Sequence, residues 1–548
     1  SIHTSAMTRQ SLPGGVSRMA CPNPAPVRYL RTFICPLMHH AMKSSLSLNR
    51  LSAIRPRRAV LPAGAVLARL MPALAGALAL AAFLRTLAPA VFTLDSPELT
   101  AAAHSLGIVH APGYPVYLLL GHLFLRLPLG DAGWQMNLLS ALAAAATVAL
   151  LAWLAQRMTG SRLAGFVAGL SYGLSFYVWS MAVIAEVYTF QALLLAIALA
   201  LLWQWRSSGR LRWLAGAAFT AGLAAANSPI AVLWWPGLLL LGLATHPRQR
   251  LRPADVALLA AALGAGLAFV LYLPLRSLAG PDFVYVGSYD ALGRFHPLDL
   301  SRPANLLWFL SGRQFSWLMA PYTPAQLLGE LGRFATWLWA AFLGVGLPLG
   351  VWGLVTLWRR ERSLAAGLLL AGLPFALFLV SYAAPDKEMM FAPFFAVWAL
   401  LLAAGLADLA AMLPRRAAAL AVLLPAALLL VNLRYVDVSQ MAAPHETSVA
   451  RLAEAAPGAV YLAHWGDASA MEYQQLVNGL RRDVQVMNVF FISPDDLAAF
   501  IGRSLRIGRP VYATYRHGLP VEHFRVIATG DDYQLLQRRR TTWIDFAE

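Results

Sequence analysis

The stretch QMNLLSALAAAATVALLAWLAQ, residues 135–156, decides the fold. As a helix it rises about 33 Å, enough to cross the hydrocarbon core of a bilayer. It holds no charged residue, and Arg157 and Arg162 follow it at once. Runs of the same kind recur near 66–86, 163–181, 188–205, 212–226, 230–245, 255–275, 334–358, 364–383, 391–412 and 417–433. The chain therefore reads as an α-helical polytopic membrane protein with roughly eleven transmembrane helices. Composition agrees: 59% of the 548 residues are hydrophobic and 13% charged, against about 25% charged in a soluble domain.

The net charge of +17 sits in small basic knots between the apolar runs. Nucleic-acid binding needs a basic face with interleaved aromatics on a soluble domain, so no nucleic-acid partner is expected. The knots are Arg55, Arg57 and Arg58; Arg157 and Arg162; Arg206, Arg210 and Arg212; Arg248, Arg250 and Arg252; Arg359, Arg360 and Arg362; Arg415 and Arg416. They fall in every second loop, which places the N-terminus and those loops in the cytoplasm. An odd span count then puts everything after Val431 outside. Both cysteines, Cys21 and Cys35, are near the N-terminus, so no disulfide framework or cysteine zinc site is expected beyond them.

Three regions follow. Residues 1–60, rich in Ser, Met, Pro and His, read as an extension, with Met42 a candidate start. Residues 61–433 form the membrane domain, with long outer segments at 87–134 and 276–333. Residues 434–548 read as a small C-terminal α/β soluble domain. There Val460-Tyr-Leu-Ala, Val484-Gln-Val-Met-Asn-Val and Pro510-Val-Tyr-Ala-Thr look like strands alternating with helices at Ser448 to Ala455 and Ala468 to Leu480.

Ionisable groups are almost absent from the middle of the spans, where an ion-coupled transporter keeps them. They gather instead at outer helix ends. The densest group is Thr93-Leu-Asp-Ser-Pro-Glu-Leu-Thr100, then His104 and His110-Ala-Pro-Gly-Tyr-Pro115. Asp95 and Glu98 lie one turn apart at a helix start. Ser96-Pro97 suits an N-cap and N1 pair, and Glu98 suits the helix dipole. A general base at the membrane surface is the alternative for Asp95, and both roles can coexist. Glu186 and Tyr188 mark another outer turn, and Asp386 and Lys387 a third. Arg276 and Arg313 stand where arginine either snorkels to headgroups or grips a phosphate. His464-Trp-Gly-Asp467 reads as a helix cap or as a ligand-binding turn. No clean metal-ligand motif is present; no metal ligand is assigned, and a divalent metal is left open.

Asp95-Ser-Pro-Glu-Leu, His110-Ala-Pro-Gly-Tyr-Pro-Val-Tyr and Ala185-Glu-Val-Tyr together resemble the transmembrane protein O-mannosyltransferase family, multi-span proteins that include a vertebrate enzyme modifying plexin-type receptors. Tyr272-Leu-Pro-Leu-Arg276, Pro385-Asp-Lys-Glu with Phe391-Ala-Pro-Phe394, and Asn432-Leu-Arg-Tyr-Val-Asp437 extend the likeness across roughly residues 65–490. The resemblance implies a family C glycosyltransferase fold. It implies transfer, with inversion, of mannose or another sugar from a polyprenyl-phosphate donor to a protein, lipid or glycan hydroxyl outside the cytoplasm. It gives the acidic catalytic role to Asp95, with Glu98 second. His104, His110, Tyr114, Glu186, Tyr188, Arg276, Arg313, Asp386 and Lys387 become the substrate-binding candidates. The partners implied are the bilayer, the polyprenyl-phosphate sugar and the acceptor.

Some positions depart from the family pattern. Leu94 and Pro97 stand where it often has Gly, Asn227-Ser228 where it has Asn-His, and Val286-Gly-Ser-Tyr-Asp290 blurs a Trp-Gly-Asp-Pro motif. Two other classes compete: a transporter or flippase of a lipid-linked sugar, and a membrane-anchored sensor. The Ala-, Leu- and Arg-rich composition fits a GC-rich bacterial genome, hence an inner membrane with a periplasmic C-terminal domain.

Overall fold

A computed structural model describes residues 63–244 and 251–537. The expected N-terminal extension, with Cys21, Cys35 and the first basic knot, lies outside them, as do Arg248 and Arg250.

Every expected span falls on helix. Among the described residues six helices are long and apolar enough to cross a membrane, and two bent pairs raise the number to eight. The three other expected spans coincide with shorter helices: Leu70–Thr86, Leu211–Asn227 and Pro229–Ala244. The bends have local causes. Arg162–Gly173 and Phe176–Ala182 meet at 64°, and Asn432 on a neighbouring helix donates its Nδ2 to the carbonyl of Leu174 at the break (2.8 Å). Pro324–Ala341 and Gly346–Arg360 meet at 96° across Leu343 and Gly344, both with positive φ. Gly346–Arg360 crosses Ala392–Met412 at backbone contact: a Cβ at Gly353 would lie 1.8 Å from the Leu401 carbonyl, and one at Gly405 2.1 Å from that of Leu349. Small residues at a helix crossing allow this approach in lipid, where packing drives association.

One end of this bundle carries a folded layer. The helix Ser96–Ser105 buries its first eight residues and packs on Trp465–Val477 of the C-terminal region. Pro115–Phe124, the apolar stretch expected beside the bundle, buries Val116, Tyr117 and Leu118. The two long outer segments join through Ile108, whose N–H donates to the Phe283 carbonyl and whose carbonyl accepts from Tyr285 (2.8 Å each). The second segment forms a hairpin, β1 (Gly287–Tyr289) with β2 (Phe295–Pro297), antiparallel.

The C-terminal region carries a five-stranded sheet of β3 (Val460–Ala463), β4 (Gln485–Asn488), β5 (Val511–Ala513), β6 (Phe524–Thr529) and β7 (Asp532–Gln537), in the order β4-β3-β5-β7-β6. β3 runs parallel to β4 and β5, with the crossover helices Trp465–Val477 and Pro494–Arg506 between them. These three strands are the ones the sequence pattern marks. The β6–β7 hairpin is not expected from the sequence; its strands mix apolar and polar residues, and within them Phe524, Asp532 and Leu535 are buried.

Candidate functional site

Leu94 turns the chain through positive φ (62°) into the helix Ser96–Ser105. Asp95 holds the N-cap position but makes no side-chain cap bond, with Pro97 in the first turn. Ser96 accepts from the Phe92 N–H instead (3.2 Å). The Asp95 carboxylate is not engaged in capping. Glu98 is fully buried. Its Oε1 accepts the His110 backbone N–H (2.7 Å) and lies 2.9 Å from His110 Nδ1. Its Oε2 accepts from Trp465 Nε1 (2.7 Å). Both oxygens of Glu98 are committed to holding its neighbours. His110 Nε2 points the other way, 3.6 Å from Asp95.

Two more acids close the cluster. Glu186 begins the span Val187–Ser208; its Oε1 accepts the Asp95 backbone N–H (3.4 Å), and its Oε2 has no partner. Asp386 accepts from the Tyr188 hydroxyl (3.3 Å). Burial lifts Glu186 and Asp386 above the usual carboxylate range. Burial also pushes Asp95 up to about 7; His110 opposes this, and Glu98 and Asp386 add to it. For His110 burial favours the neutral ring, but Glu98 and then Asp95 outweigh it and push it up to about 9. The side chains of Glu98 and Glu186 are sealed, whereas that of Asp95 is 25% exposed. Asp95 and Asp386 are the partly exposed acids of the cluster, and Asp95 is the one beside His110 Nε2.

Ligand atoms of Asp95, Glu98 and His110 lie within 4.8 Å of one another, a spacing that fits one divalent cation. The donor set fits less well than the spacing. Glu98 is already engaged by His110 and Trp465, and His110 would have to lose a proton that two carboxylates hold. Those three residues would hold such an ion, and it would neutralise charge among the acids around it.

Of the residues marked in the sequence, Asp95, Glu98, His110, Glu186, Tyr188 and Asp386 come together, with Tyr114 edge-on to His110 (5.6 Å). Lys387 does not join them. Its ammonium is buried against Glu330 (2.8 Å), the Tyr322 hydroxyl and the carbonyls of Val380 and Tyr382. Its neighbour Asp386 faces the site, so the two adjacent residues split between structure and site. His104 is exposed, outside the cluster. Arg276 donates its Nε to the Leu106 carbonyl (2.7 Å), at the far end of the Asp95 helix. Arg313 is exposed on a turn whose next residues reach the site. Gln314 accepts from the Ala111 N–H and donates to the Tyr285 carbonyl, and the Phe315 ring packs 5.7 Å from His110. Sequence reasoning missed Gln314, Phe315 and Glu330. Trp465 lay within a segment read as cap or ligand turn; it enters the site, while Asp467 pairs with Arg451 (2.6 Å).

Residues 95–251 match the protein O-mannosyl-transferase TMEM260 N-terminal domain family, a match that opens on Asp95. The protein O-mannosyl-transferase TMEM260 of Mus musculus is 32% identical over 208 residues, 34% of this chain. That segment spans only 29% of the mouse protein. ArnT from Cupriavidus metallidurans bound to undecaprenyl phosphate superposes with a TM-score of 0.55 at 13% identity, covering 87% of this chain and 98% of ArnT. Its apo state gives 0.57 at 12% identity over 86% and 98%. The expected class, a helical polytopic protein with a small C-terminal sheet domain, is the architecture observed, and its fold is the one shared with ArnT.

Proposed function

We propose that this protein is a membrane glycosyltransferase that moves a sugar from a polyprenyl-phosphate donor to an acceptor hydroxyl, with Asp95 as general base. The observation that carries the reading is Asp95 itself: a partly exposed carboxylate, held about 7 by burial, beside a charged His110 at the end of the bundle. Support comes from the O-mannosyl-transferase match across residues 95–251 and from a fold shared with a protein that binds undecaprenyl phosphate. Mannose is the sugar the mouse relative's name suggests.

In this reading the sugar phosphate brings its own leaving group. The protein aligns the acceptor oxygen with the anomeric carbon and removes its proton. The acceptor O–H proton passes to Asp95. A new C–O bond forms at the anomeric carbon, its bond to the phosphate oxygen breaks, and polyprenyl phosphate departs. In-line attack inverts the anomeric centre. Glu98, sealed and fully engaged, acts as a positioning residue that fixes His110 and keeps it charged near Asp95. Arg313, exposed on the turn that leads to Gln314 and Phe315, is the basic group proposed for the phosphate, because Lys387 is held by Glu330 and Arg276 by the Leu106 carbonyl at the far end of the Asp95 helix. We place the reaction at the outer face of a bacterial inner membrane, because the basic knots in the short loops lie at the opposite end of the spans.

The test is sugar release from a panel of radiolabelled polyprenyl-phosphate sugars by purified protein, wild type beside Asp95→Asn. Release of one sugar by the wild type alone supports the reading and names the donor. Equal release by both proteins removes Asp95 as base. No release, with facilitated movement of the lipid-linked sugar across liposomes, replaces the enzyme with a flippase.

A further inference from the structure

The C-terminal region reaches the acid cluster through one side chain. β3 ends at Ala463, and Trp465, two residues on, opens the helix Trp465–Val477. Its indole Nε1 donates to Glu98 Oε2 (2.7 Å). Glu98 is fully buried, and its Oε1 accepts the His110 backbone N–H (2.7 Å). His110 Nδ1 lies between the two oxygens, at 2.9 and 3.0 Å. The far nitrogen of the same imidazole stands 3.6 Å from Asp95. One chain of contacts therefore runs from indole to carboxylate to imidazole to the proposed base.

The indole is itself held on several sides. Its ring meets His110 (5.6 Å), Tyr285 (5.0 Å) and Phe490 (5.0 Å) edge-on, with Phe491 tilted at 5.4 Å. Polar bonds tie the helix behind it to both outer segments. Glu472 accepts from the Tyr285 hydroxyl (2.5 Å), and the Tyr473 hydroxyl donates to Asp131 (3.2 Å), the N-cap of the span Ala132–Thr159. Gln485 on β4 donates to the Gly293 carbonyl between β1 and β2 (2.8 Å). The terminal torsion of a glutamate is broad, so donors on one oxygen alone leave the carboxylate free to turn. The His110 N–H on Oε1 and the indole N–H on Oε2 together fix its plane. An indole carries one donor and no acceptor, so it holds Glu98 without competing for the His110 proton.

We propose that Trp465 is a positioning residue of the transfer reaction, which makes the C-terminal region a working part of the active site. This rests on the glycosyltransferase reading and deepens it. Trp465 fixes the plane of Glu98, Glu98 fixes His110, and His110 sets the electrostatic surroundings of Asp95; the indole acts only through these neighbours. The family match over residues 95–251 ends well before Trp465, so this element is additional to the part of the chain that the match covers.

The experiment compares wild type, Trp465→Phe, Glu98→Gln and the double variant as full chains in nanodiscs, with radiolabelled undecaprenyl-phosphate mannose as the probe. Trp465→Phe should lower kcat per folded molecule about tenfold and leave the donor KM unchanged. The double variant should be no slower than Glu98→Gln alone, because both changes break the same chain of contacts. Losses that multiply, a normal kcat in Trp465→Phe, or a raised KM with kcat intact would each overturn the proposal. A second readout needs no turnover: the indole N–H spectrum of protein labelled with 15N-tryptophan, where the Trp465 signal is the one missing from Trp465→Phe. Glu98→Gln should move that signal upfield, as a charged acceptor gives way to a neutral one. An unmoved signal overturns the contact. Absence of sugar release by folded wild type is a failure of the transfer reading, and the link from Trp465 to Glu98 then stands or falls on the indole signal.

Discussion

At the end of the bundle that carries the basic knots, acids meet arginines. Glu361 pairs with Arg206, and Asp408 with Arg360, while the Trp352 indole also donates to Asp408 (2.9 Å). At the opposite end four acids, Asp95, Glu98, Glu186 and Asp386, gather around one imidazole. Pairing holds helices together at little net cost. Burying acids costs stability, because each desolvated carboxylate resists ionisation, and neighbouring acids add to this at Asp95 and Glu186. A fold keeps such an arrangement where it performs chemistry. The contrast makes a ranked set of claims: the crowded end should govern turnover, and the paired end should barely matter.

The largest effect is expected at Asp95. Asp95→Asn should lower turnover by about 10³-fold, within the range for a lost general base, while the unfolding temperature holds or rises because one crowded acid is gone. Activity near wild type would dissolve the contrast at its centre. Wild-type kcat/KM should follow a bell. Asp95 works as a base only when ionised, so activity rises with pH through about 7; the His110 cation is lost through about 9, so it then falls.

Lys387 sharpens the contrast, since it lies one residue from Asp386 yet belongs to the paired class. Lys387→Met would leave Glu330 buried with Arg333, itself largely exposed, as its remaining partner. A loss of about 3 kcal/mol is expected in denaturant unfolding, with turnover per folded molecule preserved. The reverse result, a stable protein without turnover, would return Lys387 to the phosphate.

Glu98→Gln comes next. It removes the main group that keeps His110 charged, so the alkaline limb of the bell should move to lower pH, with about a tenfold loss at the optimum. A merely structural role would lower stability and leave that limb in place.

The bundle was legible because a membrane span is written in one contiguous run, and each expected span lies on helix. β3, β4 and β5 were legible for a related reason, as apolar runs between turns. The first-loop acids were legible as a cluster in sequence that is also a cluster in space. What escaped is what arrives from elsewhere. Trp465 lies 367 positions from Glu98 and Gln314 lies 203 from Ala111, and no local pattern ties such residues together. Lys387 was misplaced because sequence gives height along a helix but not the face. Leu94 shows the converse. A position where the resembling family often has Gly adopts φ 62° here, a conformation costing a non-glycine residue about 1–2 kcal/mol. Leu94→Gly should therefore raise stability by about 1 kcal/mol, read as a shifted denaturant midpoint, and keep Asp95 in place.

The smallest effect is expected at Arg360. Its side chain is 65% exposed, against 14% for Asp408. Arg360→Ala should cost less than about 1 kcal/mol, as exposed ion pairs do, because Asp408 keeps the Trp352 indole and the Thr356 hydroxyl as donors. Turnover should be unchanged, since the pair stands at the far end of the spans from Asp95. A marked loss of turnover at unchanged stability would mean that the two ends are coupled through the helices Gly346–Arg360 and Ala392–Met412, whose backbones touch at Gly353 and Gly405. The division between a paired end that supports and a crowded end that reacts would then give way to one mechanical unit.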